Sequence, residues 1–260
     1  MISTLLIVCK KEQNSEVLPQ EYKIDSKVKF GINRANSSGL NLFKAELSLN
    51  PEAENVIISP LTINNPLKLL NNDLRENVYS FIISNNFNKN EVEMPFYYSP
   101  CNSGLHKMIS NTDFINYYSD RNISSIEIPL KQHNYIIQII ISNSEKSINE
   151  IAREISISGI KKISENYRKK KMQVFFPKFH LKYVVKTSAE KFSETSNSNH
   201  AVIMRVDNSK AQNSLLFYKN KNSENSFIIN RPFIFIIKEN TSGAILFFGK
   251  ICNPINYSVI

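Results

Sequence analysis

Between Gly39 and Leu49 the apolar positions Leu40, Leu42, Phe43, Leu47 and Leu49 predict a short amphipathic helix, and Asn50-Pro51 ends it. Asn55 to Pro60 then predicts a short buried strand. Ser59 is placed to cap a helix whose first position is Pro60, where a missing N–H costs nothing, and which runs through Leu61, Ile63, Leu67 and Leu70. The Asn-rich stretch 71–90 holds one apolar group, Val78 to Ile83, a weak helix or strand between loops. Strand-like alternation follows in Val92 to Tyr98, Ile123 to Leu130 and Tyr135 to Ile141, and the near-continuous isoleucines of the last predict cover on both faces. Ser147 to Ile157 reads as a helix with Ser147 as cap, Glu150 three residues on, and Ile148, Ile151 and Ile155 on one face. A sheet resumes at Met172. Phe227 to Ile237 and Ala244 to Ile251 predict two apolar strands joined by a polar hairpin turn, Lys238 to Gly243. Residues 1–34 have no sustained period and mix charge with Pro19, which suggests an irregular N-terminal extension. Residues 35–260 then form a single domain, with no internal repeat and no linker.

Composition narrows the class. Of 260 residues, 42% are apolar and 21% charged, which excludes wholesale disorder. With Gly 6 and Pro 10, chain reversals must lean on Asn and Ser side chains. The longest apolar runs, around Ile136 to Ile141, fall far short of the roughly 20 residues that span a bilayer, so a membrane-spanning chain is not expected. The apolar run Ile2 to Cys9 lacks preceding basic residues and a small-residue cleavage site. That favours an intracellular protein, with secretion as the alternative. Cys9, Cys101 and Cys252 are too few and too scattered for a disulfide framework.

The charge is clustered. From Lys161 to Lys186 nine cations, Arg168 to Lys171 among them, face Glu165 alone, a local +8 within a chain of net charge +9. One reading is a polyanion site for glycosaminoglycan, nucleic acid or an acidic partner at Arg168, Lys169, Lys170 and Lys171. The other is a solvated loop between a helix and a strand. Phe175 and Phe176, beside Pro177, read as core of a strand, not as stacking platforms.

No GxSxG elbow, phosphate loop, GxGxxG or HExxH occurs, and His106, His133, His180 and His200 are isolated from one another. Neither an enzyme, a cofactor nor a metal site is expected, and no catalytic residue is assigned.

The run Phe227-Ile-Ile-Asn-Arg-Pro-Phe-Ile-Phe-Ile-Ile-Lys-Glu-Asn-Thr-Ser-Gly-Ala-Ile-Leu-Phe-Phe-Gly-Lys-Ile-Cys-Asn-Pro254 closely resembles the signature at the end of serpins. Pro232, Phe233, Gly243, Gly249 and Pro254 are its marked positions. Two further segments fall in serpin order: Asn55 to Ile63, with Asn55, Ser59, Pro60 and Thr62, and Val174 to Leu181, with Pro177 and Phe179. Ile126 to Ile141 is similar to the strand pair that precedes the second. The resemblance, over about Ala35 to Pro254, implies an α+β fold of serpin-like mixed β-sheets with helices, and a monomer.

Serpins present a long exposed loop as bait to a serine or cysteine protease. After cleavage the loop inserts into the largest sheet and carries the acylated protease with it. The resemblance therefore implies a host protease or another host protein as partner. Two departures count against that mechanism. Between Leu70 and Val92 only 21 residues stand where the family places several helices and strands, a large internal deletion. In the shortened reactive-loop region, Asp207 to Ser226 reaches at most about 66 Å. Leu215 to Glu224 also lacks the family's small-residue hinge, needed because an inserting strand slides between packed neighbours. The exposed reactive-loop candidates are Lys219, Asn220, Lys221, Asn222, Ser223, Glu224, Asn225 and Ser226. The leading expectation is a truncated, non-inhibitory serpin that binds a partner. An active inhibitor is the alternative, and a polyanion-binding module could coexist with either. Short, Asn-, Ile- and Lys-rich relatives with pieces missing resemble those of poxviruses, which modulate host defence.

Overall fold

The isoleucines at Tyr135 to Ile141 and the apolar run at Phe233 lie side by side at the centre of one sheet, with side chains buried on both faces. The computed structural model describes residues 24–60, 80–81, 91–99, 102–130, 135–177, 181–182, 203–206 and 225–254. Its elements are α1 (Ser26–Leu49), β1 (Asn55–Ile58), β2 (Ser80–Phe81), β3 (Glu91–Ser99), β4 (Asn102–Ser119), β5 (Ile123–Pro129), β6 (Tyr135–Ser142), α2 (Ile148–Glu154), α3 (Ile157–Glu165), β7 (Arg168–Pro177), β8 (Leu181–Lys182), β9 (Ile203–Val206), β10 (Ser226–Ile228), β11 (Phe233–Glu239) and β12 (Ile245–Ile251). The fold is α+β. Ten strands join in the order β10-β7-β4-β5-β6-β11-β12-β1-β9, with β3 also paired to β4, and β2 pairs with β8 separately.

Odd positions of β6 and β11, including Ile137, Ile139, Phe233 and Phe235, face one core with Met172, Val174 and Phe176 of β7. Even positions, Ile140, Ile234 and Ile236, face a second core under Leu40, Phe43 and Leu47 of α1, Ile148 and Ile151 of α2, and Ile160 and Ile163 of α3. The rings of Phe176 and Phe233 lie 5.8 Å apart although β7 and β11 are separated by three strands in the sheet. The sheet therefore curls back on itself, as a twisted sheet of this many strands must to bury both faces.

Several expected boundaries move. The first helix begins at Ser26, capped by Asp25 Oδ1 accepting from Val28 N–H at 2.7 Å, not at Gly39. So part of the N-terminal stretch read as irregular is helical. Its inner face holds Ala35, Asn36 and Gly39, too small or too polar to register as a hydrophobic stripe. Gly39 is small for a reason: a Cβ there would stand 2.4 Å from Pro60 Cγ. The helix expected over Ser147 to Ile157 is two helices. Ser147 and Glu150 form the expected capping box, but Ile155 turns extended (ψ 142°) and Ser156 Oγ accepts from Gly159 N–H to start α3. β4, eighteen residues long, was not anticipated. The apolar stretch Phe227 to Ile237 is likewise two strands, since Ile229 to Pro232 leave the sheet and β10 pairs with β7 while β11 pairs with β6 and β12.

Polar side chains make the reversals, as the scarcity of glycine requires. Asp120 Oδ1 accepts from the N–H groups of Asn122 and Ile123 at 2.8 Å each between β4 and β5. Burial opposes the charge on Asp120, yet those two bonds, the Tyr118 hydroxyl and Arg121 together hold its pKa below the usual value. Between β11 and β12, Gly243 takes φ 70° and the Glu239 carboxylate accepts from Thr241 and Ser242 N–H. Among the described residues no helix is long and apolar enough to cross a membrane.

Candidate functional site

The basic run does not lie in a loop. Arg168 to Lys171 open strand β7, paired residue by residue with Tyr117 to Phe114 of β4. Four consecutive cations are poor strand formers, but β4 supplies the ladder and the run needs no core of its own. Strand alternation splits it. Arg168 and Lys170 share the row of Met172, Val174 and Phe176, whereas Lys169 and Lys171 share the opposite row. Lys170 Nζ stands 5.6 Å from the centroid of the Tyr117 ring. None of the four makes an ion pair among the described residues, whereas Lys161 pairs with Glu165 at 3.6 Å. A surface cleft of about 520 Å³ opens at this end of the sheet, between Tyr117, Tyr118 and Ser119 on β4 and Asn166, Arg168, Lys169 and Lys170. Those β4 residues and Asn166 escaped the sequence reading. The β-forming cluster Phe114-Ile115-Asn116-Tyr117-Tyr118 was the available signal.

Of the reactive-loop candidates, Lys219, Asn220, Lys221, Asn222, Ser223 and Glu224 lie outside the described residues. Asn225 is an exposed turn residue, and Ser226 belongs to a strand. Asn225 C=O accepts from Gln173 N–H at 2.9 Å, and Ser226 begins β10, in register with Gln173. The following Phe227 is fully buried and meets Tyr117 edge-on at 6.1 Å, so this end is anchored by a core side chain.

The signature positions have concrete duties. Asn55 binds both ends of the chain's described core: its Nδ2 donates to Asn253 C=O at 2.7 Å, and its Oδ1 accepts from Cys252 and Asn253 N–H. Ser59 and Pro60 are buried after β1, Pro60 riding on Gly39. Pro177 is buried at the end of β7, Pro232 precedes β11, and Pro254 is buried after β12. Phe233 is fully buried, and Phe247 is nearly so. At Gly249 a Cβ would stand 1.9 Å from Phe235 Cε1, so the ring occupies the space a side chain would need. Thr62 and Phe179 lie outside the described residues.

Beneath α3 lies a buried polar cluster that composition did not announce. Glu127 on β5 pairs with Lys238 on β11 at 2.7 Å, and Lys238 also donates to Ser164 Oγ at 2.9 Å. Beside it the Tyr167 hydroxyl and the fully buried Ser125 Oγ are 2.7 Å apart. Burial, and then the Glu127 charge, raise the Tyr167 pKa far above 10.0, against the opposing hydrogen bonds of Ser125 and Gln138. Above pH 10 the unfolded chain releases this proton while the folded chain keeps it, so stability present below pH 10 falls as pH rises. The slope reaches about 1.4 kcal/mol per pH unit. Tyr98, raised by burial and by Glu54, adds in the same direction. Lys250, lowered by burial, acts with opposite sign up to 10.5. Urea midpoints from pH 9 to 11 should thus fall less steeply in Tyr167→Phe than in the wild type. Parallel curves would contradict the assignment.

The family model described as Serpin (serine protease inhibitor) matches residues 77–190 and 186–254. "Probable serine proteinase inhibitor 1" of swinepox virus (strain Kasza) is 25% identical over 61% of this chain and 55% of that protein. "Intracellular coagulation inhibitor 1" of Tachypleus tridentatus is 24% identical over 48% of this chain and 37% of that protein. Among solved structures, native protease nexin-1 with heparin shares 21% identity at a TM-score of 0.48, over 65% of this chain and 53% of that one. The chain thus spans between 37% and 55% of the length of these two curated relatives. The matched segments hold both the β7 strand with its Pro177 and the β11–β12 hairpin with Gly243 and Gly249, and on that match the chain belongs to the serpin family.

Proposed function

We infer that this protein is a non-inhibitory, degenerate serpin that acts by binding a partner, a host protein if the chain is viral. Loop insertion needs a sheet that opens between strands. The observation that carries the reading is that, among the described residues, β6, β11 and β12 of the ten-stranded sheet are each paired on both sides and buried on both faces, so a strand entering among them would have to break existing ladders. The separate pairing among the described residues, β2 with β8, spans two residues on each side. The anchored Asn225 and Ser226 shorten the segment that could present bait, and the hinge lacks small residues. Similarity to the swinepox protein supports a viral setting.

The relatives named as inhibitors favour the rival reading, an active inhibitor of a serine or cysteine protease. Incubation with a panel of both protease classes, read on a denaturing gel, separates the two. The non-inhibitory reading expects no band at the summed mass of protease and chain. Such a band would replace it by the rival.

A further inference from the structure

We propose that the outer edge of β7 at Arg168 to Lys171 takes up an acidic peptide segment as an added β-strand. This deepens the partner-binding reading and rests on it. β4 pairs with β7 along its whole length, from Arg168 to Pro177, but β10 covers the other side only at Gln173 to Phe175. Gln173 N–H donates towards β10, to Asn225 C=O, and Phe175 C=O accepts from Ile229 N–H. Backbone groups alternate sides along a strand, so the N–H and C=O of Lys169 and Lys171 point to the same outer edge. No described strand meets them there. An edge with no partner among the described residues can pair with a further strand, and lysines on it discourage unselected partners.

The charges choose the partner. A flat polyanion lying on either face of the sheet meets two of the four cations, because strand alternation sends the other two to the opposite face. An extended peptide lies in the plane of the sheet, and its side chains alternate to the same two faces. Each acidic residue then stands beside one cation as a cross-strand pair. The four cations have no ion-pair partner of their own among the described residues, and Arg168, Lys169 and Lys171 are exposed. The sequence leading into β10, Lys219-Asn-Lys-Asn-Ser-Glu224, carries two cations and one acid, a poor electrostatic match to this edge. The cleft beside Tyr117 and Tyr118 lies at the Arg168 end, where an aromatic residue next to the acidic run finds ring surface.

The test uses the full chain and a capped synthetic peptide of four consecutive Glu flanked by Thr and ending in Phe, whose Glu side chains alternate to both faces, alongside the same peptide N-methylated at every second residue. Methylation removes edge hydrogen bonds and leaves the charge intact. The expected result is binding that weakens with salt, slower hydrogen exchange at the Lys169 and Lys171 amides, and a loss of about tenfold or more on methylation. Lys169→Met with Lys171→Met should weaken binding by a similar factor. Should that variant fold poorly, the methylated peptide on the wild-type chain still decides. Equal binding of both peptides, absence of binding at low salt, or a heparin hexasaccharide that binds and competes without protecting either amide would each overturn the proposal. The protease gel is read separately, so loss of this edge site and loss of the non-inhibitory reading are distinguishable.

Discussion

Phe235→Ala should cost about 3 to 5 kcal/mol in urea unfolding, because the ring is fully buried and truncation leaves a cavity in the middle of the sheet. Gly249→Ala attacks the same contact from the other side. Phe235 and Gly249 are register partners across β11 and β12, and a methyl at Gly249 would stand 1.9 Å from the ring. Neither the ring, packed among buried neighbours, nor the strand, paired on both sides, has room to retreat. The expected cost is about 1 to 3 kcal/mol or more. The double variant should be more stable than the sum of the two losses implies, since the alanine methyl enters space that the ring has vacated. A coupling of about 0.5 to 3 kcal/mol is the signature of direct contact. Strict additivity would mean that the two residues do not meet.

Lys238→Met should cost about 3 to 5 kcal/mol, because it leaves the Glu127 carboxylate without its ammonium partner in a site where its side chain is 10% exposed. Asn116 Nδ2 at 3.4 Å and Ser164 Oγ at 3.4 Å are long, neutral contacts that cannot replace an ammonium at 2.7 Å. Glu127→Leu combined with Lys238→Met removes both charges, and by the same reasoning should recover most of the loss. Urea midpoints at unchanged m-value are the readout. A single variant as stable as the wild type would mean that the pair is solvated, contrary to its place beneath α3.

What the sequence made legible follows from how each element is buried. β6 was readable because both its faces are covered, so its isoleucines run without interruption, and α2 because its capping box is local. β4 was not. Its exposed, half-buried and buried positions follow no period of two, since its neighbours change along its length: β3 pairs with Asn102 to Ile109, β7 with Met108 to Tyr117 and β5 with Asn116 to Ser119. The start of α1 was hidden by Ala35, Asn36 and Gly39, chosen for contacts with elements far away in sequence. Asn36, for one, donates to Gly243 C=O and accepts from Ile245 N–H. Arg168 to Lys171 read as a loop because local composition says nothing of a neighbouring ladder. The same limit let Phe227 and Phe233 pass for one strand, with Pro232 the one local hint that the chain changes neighbours.

The central claim, a serpin fold that does not insert its loop, is tested most directly by calorimetry before and after cleavage within Ser209 to Ser226. Insertion would add a strand whose backbone groups are satisfied on both sides, and would raise the melting temperature markedly. With the described central strands already paired on both sides, cleavage only frees chain ends, so the account predicts a melting temperature unchanged or lower. A large upward shift in the nicked chain would contradict it.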